Sequence, residues 1–295
     1  MNFSFDRINI EISNICNLKC SFCPAVEREK QVMSAENFEV VARSVAPLTK
    51  EIVLHLLGEP LGHPDFANIL AAATRVQIPV NVVTNGVLLV GERPKDLLSP
   101  IVRQVSFSLH SFEANFPNQD PKLYLERILR FVERALIERP DLYINLRLWD
   151  LDGTESHQTD RNRAMRKLLS DFFEFDWTDV NVDLRRKKNW RIKGRLYLHF
   201  DSRFVWPSMQ NEILQERGTC KALTNHIGIH ADGSVVPCCL DHNRDIPLGN
   251  IFDQKIDDIL QSERAQNMLK GFKQGRLVET LCKTCGFIER FSKNK

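Results

Sequence analysis

The chain has 295 residues, of which 43% are hydrophobic and 26% are charged, and its formal net charge at pH 7 is +2. This balance excludes a largely disordered protein, and no stretch reaches the roughly 18 apolar residues of a membrane span. The length accommodates one large domain, or a large domain with a smaller appendage. The first residues lack the basic and apolar segments of a secretion signal, so we expect a cytoplasmic protein that does not contact a membrane.

Predicted strands and helices alternate through the first half of the chain. The strands are predicted at 7–12, 51–57, 79–84, 105–109 and 143–149, and the helices at 65–76, at 121–137 and from the N-cap Ser34 onward. Strands that alternate with helices form parallel sheets covered by helices. The pattern therefore predicts an α/β fold.

The second half of the chain is less regular. A helix is predicted at 159–173, strands at 179–183 and 195–200, a hairpin at 226–237 and a further helix at 255–272. The hairpin prediction rests on the Asp232-Gly233 turn between two apolar segments. The change of pattern predicts a domain boundary near residue 215, with one domain at 1–215 and a smaller one at 216–295.

Eight cysteines fall into two groups at opposite ends of the sequence. The first group is Cys16, Cys20 and Cys23, and the second is Cys220, Cys238, Cys239, Cys282 and Cys285. Thiols stay reduced in the cytosol, so cysteines clustered at short spacing indicate metal ligands rather than disulfides.

The first group directly follows the first predicted strand, with the spacing Cys-x3-Cys-x2-Cys. Ligand sites of α/β folds lie in the loops at the C-terminal ends of the strands. Three thiolates on a [4Fe–4S] cluster would leave one iron open to a cofactor or a substrate. The alternatives are a zinc site with a distant fourth ligand, and three cysteines packed without a metal.

This spacing, with the aromatic Phe22 before the last cysteine, resembles the signature of the radical S-adenosylmethionine (SAM) superfamily. The resemblance implies a partial (β/α)6 TIM-like barrel in which Cys16, Cys20 and Cys23 hold a [4Fe–4S] cluster whose open iron binds SAM. It implies reductive cleavage of SAM to methionine and a 5′-deoxyadenosyl radical, which abstracts a substrate hydrogen. Phe22 matches the position whose backbone lies against the adenine of SAM.

A second family motif follows the second predicted strand. Gly58-Glu59-Pro60 resembles the Gly-Gly-Glu-Pro motif that binds the SAM amino group in this superfamily, with Leu57 in place of the first glycine. The resemblance implies a role in SAM binding for all three residues. The structural alternative is a turn that ends a strand.

Other candidate SAM contacts lie at the ends of later strands. Thr84 and Asn85 follow the third strand, and Ser108 lies on the fourth, where the family presents groups to SAM. Arg147, near the end of the fifth strand, is a candidate donor to the SAM carboxylate, with a surface ion pair as the alternative. No side chain is assigned to catalysis.

The second cysteine group resembles the SPASM/Twitch extensions of radical SAM enzymes. The resemblance rests on the segment 228–238, on Leu248-Gly249-Asn250-Ile251 and on the long separations between the cysteines. It implies a smaller C-terminal Twitch/SPASM-like β-hairpin-plus-helix domain with an auxiliary [4Fe–4S] cluster. A full SPASM domain needs seven or more cysteines, so five indicate one auxiliary cluster rather than two. The spacing is similar to that of aminocyclitol dehydrogenases of the family, which oxidise a secondary alcohol.

The expected auxiliary ligands are Cys220, Cys238, Cys282 and Cys285. Cys239 is the alternative to Cys238, and structural zinc is the alternative to iron because four thiolates also suit Zn²⁺. The auxiliary cluster would accept an electron from the substrate, conduct electrons to the first cluster or stabilise the domain. The sequence leaves these three roles open.

A basic stretch at 185–195 carries seven positive charges with Trp190 among them. Such a stretch binds phosphates, and a tryptophan stacks on bases, so RNA modification is one hypothesis. The alternative is a solvated loop. The other hypotheses are radical oxidation or modification of a small polar molecule or peptide, with flavodoxin or ferredoxin as electron donor, and a non-catalytic metal-binding or electron-transfer protein.

Overall fold

The computed structural model describes residues 3–149, 162–183 and 187–291 of the chain. Within these ranges the strands are β1 Arg7–Ile10, β2 Ile52–Leu54, β3 Val80–Thr84, β4 Val102–Ser108, β5 Tyr143–Leu148, β6 Asn189–Lys193, β7 Leu196–Phe200, β8 His226–Ile229, β9 Ser234–Val236 and β10 Gly249–Asn250. The α-helices are α1 Ala35–Val45, α2 Phe66–Val76, α3 Arg93–Leu97, α4 His110–Asn115, α5 Lys122–Glu138, α6 Arg163–Phe173, α7 Ile256–Leu260, α8 Glu263–Lys273 and α9 Thr280–Lys283. Short 3-10 helices cover Ala46–Leu48, Pro60–Gly62, Trp177–Asp179 and Gly286–Phe291.

Helix α1 shows how local sequence determines an element. The Ser34 hydroxyl accepts the backbone N–H of Asn37 at 3.1 Å and so caps the first turn. Phe38, Val41 and Val45 recur at helical spacing and are fully buried. The buried face of α1 packs against α2, as the amphipathic pattern predicts.

The chain divides into two compact units. The first comprises Met1–Asn17, Cys23–Val80 and Phe204–Lys295. Its strands follow the order β10-β9-β8-β1-β2. Strand β1 lies parallel to β2 on one side and to β8 on the other, and β8, β9 and β10 are successively antiparallel. The C-terminal hairpin is therefore part of the same sheet as the first strand of the chain.

The second unit comprises Leu18–Phe22 and Asn81–Arg203. Its strand order is β3-β4-β5-β7-β6, with β4, β5 and β7 parallel and β6 antiparallel to β7. Helix α5 buries an apolar face in this unit, and its Phe131 meets Phe107 of β4 edge to face at 5.6 Å between ring centroids.

The structure confirms the strands predicted in the first half of the chain, the helices there and the hairpin, with shifts of a few residues at their ends. The second strand is shorter than predicted. Leu56 and Leu57 lie beyond its end but stay buried, which explains why the apolar run overestimates the strand. The N-terminal part of the helix predicted at 159–173 lies outside the described residues.

Two further predictions are wrong. The strand predicted at 179–183 is preceded and partly replaced by the 3-10 helix Trp177–Asp179, because the Asp176 carboxylate accepts the N–H of Thr178 and caps that turn. The single helix predicted at 255–272 is two helices, because the Ser262 hydroxyl accepts the N–H of Ala265 and so caps a second helix that begins at Glu263. The domain boundary near residue 215 stays a prediction.

No helix in the described part of the chain combines the length and the apolar character needed to span a membrane.

Candidate cofactor sites

The C-terminal cysteines converge within the first unit. Cys220 precedes β8, Cys238 and Cys239 follow β9, Cys282 lies in α9 and Cys285 comes directly after it. Burial raises the pKa of the Cys238 thiol well above its ordinary value, and the neighbouring thiols of Cys239, Cys220, Cys282 and Cys285 raise it further. Segments far apart in sequence thus bring five thiols into one group.

The electrostatics of this group suit a metal centre. Burial raises the pKa of Cys282 and, to about 11, that of Cys285, and Cys220 contributes to both shifts. Thiols at these pKa values keep their protons unless a cation compensates the thiolates. The donor type, a group of four or five thiols, is the one that binds a [4Fe–4S] cluster, and it also suits Zn²⁺. Within the ranges that the structure describes, no three His, Cys, Asp or Glu side chains form a group that could hold a single metal ion.

The N-terminal cysteines lie on the loop after β1. Cys16 and Cys23 are exposed and Cys20 is half-buried. Cys16 and Cys23 belong to the first unit, and Cys20 belongs to the second. The side-chain amide of Asn115 donates to the Cys20 sulfur at 3.0 Å. Hydrogen bonds of this kind commonly support the ligands of a metal centre, so the contact is compatible with Cys20 as a thiolate ligand.

Gly58, Glu59 and Pro60 lie against the segment that leads to Cys16. The backbone N–H of Glu59 donates to the Ile15 carbonyl at 3.0 Å, and its buried carboxylate accepts the N–H of Leu61 at 3.0 Å. Gly58 has φ +78°, and a Cβ there would lie 2.1 Å from the Ser13 carbonyl oxygen. The turn therefore supports the loop that carries the first cysteine.

A buried ionic network connects this loop with the C-terminal hairpin inside the first unit. Arg28, five residues after Cys23, donates to both carboxylate oxygens of Glu11 at 3.0 and 2.8 Å and to the His242 carbonyl at 2.7 Å. The Glu11 carboxylate also accepts the N–H of Ala231 at 3.3 Å. Glu11 and Arg28 thus connect the segment after Cys23 with the hairpin region at Ala231 and His242.

The pKa of Glu11 reflects this network. Burial alone would raise it, but the hydrogen bond and charge of His230 and those of Arg28 lower it below the ordinary value. The carboxylate is therefore ionised, and Arg28, which binds both of its oxygens, is its permanently charged partner. The His230 ring is fully buried, with Nε2 2.9 Å from the Asp241 carbonyl.

Replacing Arg28 by methionine is expected to destabilise the protein by about 3–5 kcal/mol, because it leaves the Glu11 carboxylate buried without its main counter-charge. Arg43→Met is the matched control. Arg43 also pairs with a glutamate, but its side chain is 59% exposed, so its loss should hardly change stability. Thermal unfolding of the three proteins checks this. Equal midpoints for wild type and Arg28→Met would contradict the role of the network.

The second unit contains a cavity of about 280 Å³. It is lined by Ser21, Phe22, His110, Glu113, Ala114, Pro117, Trp149, Asn162 and Arg203. The rings of His110 and Trp149 stack at 4.6 Å, Phe22 lies 5.1 and 5.4 Å from them, and the Arg203 guanidinium lies over Phe22 at 5.4 Å. Apolar ring surface next to a few charged groups is typical of small-molecule sites.

His110 is a neutral hydrogen-bonding group in this cavity. Burial lowers its pKa to about 3, and the positive charge of Arg147 adds to the shift. Its Nδ1 lies 3.1 Å from the Arg147 carbonyl, which can only accept. Nδ1 therefore carries the proton, and Nε2 is left as an acceptor.

The other candidate SAM contacts occupy the strand ends of the second unit. The Thr84 hydroxyl accepts the N–H of Gly86 at 3.0 Å, and the Asn85 side chain accepts that of Val87 at 2.9 Å, so both organise the turn after β3. Ser108 of β4 is paired in register with Arg147 of β5. The Arg147 guanidinium lies 5.6 Å from the centre of the Trp149 ring, beside the cavity.

The basic stretch is not a loop where the structure describes it. Residues 189–193 form β6 at the edge of the second unit's sheet, with Arg191 and Lys193 on its exposed side. Trp190 is half-buried and packs on Phe175 at 4.9 Å between ring centroids. Arg185 and Arg186 lie outside the described residues. The contact with Phe175 gives Trp190 a structural role in the unit.

Sequence reasoning missed Arg28 and Asn115, and it considered His110 as a possible proton donor or acceptor without assigning it a role. Arg28 had one signal, its position just after the last cysteine of a cluster-binding loop. Asn115 and His110 lie on α4, a helix of six residues that is too short to show a clear periodic pattern. Their partners are far away in sequence, so local patterns gave no indication of them.

Comparisons with known proteins identify two domains in the chain. A family model described as the radical SAM superfamily matches residues 10–145, and one described as an iron–sulfur cluster-binding domain, SPASM, matches residues 220–286. The PqqA peptide cyclase of Streptomyces rochei is 32% identical over 105 residues, which is 34% of this chain and 28% of that protein. The chain thus aligns with less than a third of this relative.

Solved structures match nearly the whole chain. The structure of BtrN in complex with AdoMet and 2-DOIA is 18% identical, with a TM-score of 0.64 over 100% of this chain and 98% of that one. SuiB of Streptococcus suis bound to its precursor peptide SuiA is 17% identical, with a TM-score of 0.53 over 99% and 72% of the two chains. The anSMEcpe structure with AdoMet and the Cp18Cys peptide is 18% identical, with a TM-score of 0.53 over 97% and 87%.

These matches confirm the predicted fold class, a mixed α/β partial barrel with a C-terminal domain of strands and helices. The matched domains imply the cofactors: SAM and a [4Fe–4S] cluster for the first, and auxiliary iron–sulfur for the second. The chain therefore carries a radical SAM domain over residues 10–145 and a SPASM-type iron–sulfur cluster-binding domain over residues 220–286.

Proposed function

We propose that the protein cleaves SAM reductively at a [4Fe–4S] cluster held by Cys16, Cys20 and Cys23. When bound, this cluster and SAM supply a 5′-deoxyadenosyl radical, which abstracts a hydrogen from a small polar molecule or a peptide. The reaction is a radical-initiated oxidation or modification, and it takes place in the cytoplasm, where the thiols remain reduced. The observation that carries the proposal is the cysteine loop after β1 in a chain whose first half matches the radical SAM superfamily.

One auxiliary cluster completes the cofactor set. We assign it to Cys220, Cys238, Cys282 and Cys285, because five thiols converge there and a single four-thiolate cluster uses four of them. Cys238 is preferred to Cys239 because it aligns best with the hairpin ligand of the SPASM/Twitch extensions that this cysteine group resembles. The proposed boundary of the domain that holds this cluster stays near residue 215.

The SAM contacts assigned by sequence remain part of the proposal. In the first unit these are Gly58, Glu59 and Pro60, and in the second unit they are Phe22, Thr84, Asn85, Ser108 and Arg147. Phe22 is supported by the cavity described above, which it lines together with aromatic rings and the Arg203 side chain, and Arg147 is supported by its position over Trp149 of the same lining. Such a site suits a flat ring joined to a polar or anionic group.

The substrate class is supported from two directions. The PqqA peptide cyclase and the peptide-bound SuiB and anSMEcpe favour a peptide, whereas BtrN bound to 2-DOIA favours a small polar molecule. An acceptor at His110 and a cation at Arg203 in one cavity suit either of these. The electron for SAM cleavage would come from a flavodoxin or a ferredoxin.

Anaerobic reconstitution tests the proposal directly. The wild-type protein should bind about eight iron atoms per chain as two [4Fe–4S] clusters. On reduction with SAM it should release 5′-deoxyadenosine and methionine in equal amounts. Adding fractions of a cell extract identifies the substrate, because the fraction that holds it accelerates 5′-deoxyadenosine release. Zinc at both sites without SAM cleavage would overturn the proposal.

Replacing Cys282 by alanine should halve the bound iron, to about four atoms per chain, because only the auxiliary cluster loses a ligand. The first cluster should still respond to SAM in its electron paramagnetic resonance (EPR) spectrum. Cys239→Ala is the matched control and should keep all the iron, since Cys239 is not assigned as a ligand. Full iron in Cys282→Ala, or halved iron in Cys239→Ala, would contradict the ligand assignment.

A further inference from the structure

The hydrogen bonds of Asn115 determine which way its side-chain amide faces. Its Oδ1 lies 2.8 Å from the backbone nitrogen of Lys19, which can only donate. Its Nδ2 lies 2.8 Å from the Ser111 carbonyl oxygen, which can only accept. The Nδ2 group must therefore be the one that faces Cys20. Its nitrogen lies 3.0 Å from the Cys20 sulfur, to which it donates its second N–H.

Asn115 is the last residue of α4, which follows β4 in the second unit, and Lys19 and Cys20 belong to the same unit. Asn115 therefore holds the loop through the Lys19 backbone and contacts the Cys20 sulfur through the amide. A flipped side chain would place the amide nitrogen against the Lys19 N–H and the oxygen against the Ser111 carbonyl, so the carboxamide has one favourable orientation.

We propose that Asn115 is a positioning residue that raises the reduction potential of the SAM-binding cluster through its N–H bond to the Cys20 sulfur. This inference rests on the proposed function, in which Cys20 is a cluster ligand. Reduction adds negative charge to a cluster and its thiolates. An N–H dipole directed at a ligand sulfur stabilises that charge and so favours the reduced form.

Two variants separate the electrostatic effect from loop support. Asn115→Asp keeps an oxygen for the Lys19 N–H but directs a carboxylate oxygen at the sulfur. Asn115→Ala removes both contacts. If the amide raises the reduction potential of the cluster, the midpoint potential of the first cluster should be more negative in both variants than in the wild type. The shift should be larger in Asn115→Asp, although this variant keeps the contact with the Lys19 N–H. If Asn115 only supported the loop, the midpoint potential would shift more in Asn115→Ala than in Asn115→Asp.

The expected effect of Asn115→Ala is a change in the fraction of the first cluster that is reduced. We expect the ratio of reduced to oxidised cluster in Asn115→Ala to fall about tenfold at a fixed ambient potential, which corresponds to about 59 mV for a one-electron couple. Asn118→Ala is the matched control. Asn118 is an exposed asparagine three residues further along, so its loss should leave the midpoint unchanged.

The measurement is a redox titration of the reconstituted holoenzyme followed by EPR spectroscopy, in which the first cluster is recognised by its change on SAM addition. A SAM-responsive cluster with the wild-type midpoint in both Asn115 variants would overturn this inference alone. A positive shift in Asn115→Asp would overturn it as well. A wild-type protein without any SAM-responsive cluster would overturn the proposed function and this inference with it.

Discussion

Replacing Cys20 by alanine is expected to abolish SAM cleavage. With only two thiolates left on the loop, the first cluster cannot assemble, so bound iron should fall from about eight to about four atoms per chain. No 5′-deoxyadenosine should form, whereas the auxiliary cluster should keep its spectrum. Iron analysis and product chromatography under anaerobic conditions measure both quantities.

Lys19→Ala is the control for this experiment. Its side chain is exposed, and the backbone N–H that Asn115 accepts is unchanged by the substitution. Iron content and cleavage rate should therefore match the wild type. Wild-type cleavage in Cys20→Ala would remove Cys20 from the ligand set and would leave the proposed chemistry without its cluster.

Replacing Gly58 by alanine is expected to have the largest effect on stability. The residue has φ +78°, a left-handed conformation that costs an alanine about 1–2 kcal/mol. The new Cβ would also lie 2.1 Å from the Ser13 carbonyl oxygen, so the main chain that leads to Cys16 must move. We expect a destabilisation of about 4 kcal/mol or more, and loss of the SAM-responsive cluster with it.

Gly275→Ala separates the two causes. Gly275 has φ +66°, and a Cβ there would meet nothing within 4 Å. This variant should show the cost of the left-handed backbone alone, about 1–2 kcal/mol, and should keep both clusters. Thermal unfolding and EPR spectroscopy compare the two proteins. Equal destabilisation by the two alanines would mean that the contact with Ser13 imposes no constraint.

Sequence patterns predict those parts of this protein that depend on neighbouring residues. Helix α1 was predictable because its cap, its apolar face and its length are all local. The first cysteine group was predictable for the same reason, because its members lie within eight consecutive residues. Strand β6 was missed because an edge strand with Arg191 and Lys193 on its exposed side has the composition of a solvated loop.

Long-range partners are the part that sequence patterns could not supply. Arg28 donates to a carbonyl 214 positions away, at His242, and Asn115 donates to a sulfur 95 positions away, at Cys20. Each donor is an ordinary polar residue in its local context. Only the folded chain brings each donor to these distant acceptors, so the contacts depend on topology and not on local sequence.

The pairing of β1 with β8 has a consequence for dissecting the protein. Four consecutive residues of β1 are matched in parallel register by β8, from Arg7 opposite His226 to Ile10 opposite Ile229. A shortened chain that stops before β8 would expose the backbone donors and acceptors of β1 together with the apolar surface of Ile8 and Ile10. Open strand edges of this kind recruit other chains. Strand β8 of the auxiliary region therefore completes the sheet that contains β1. We expect deletion of this region to cause aggregation instead of giving a smaller active enzyme.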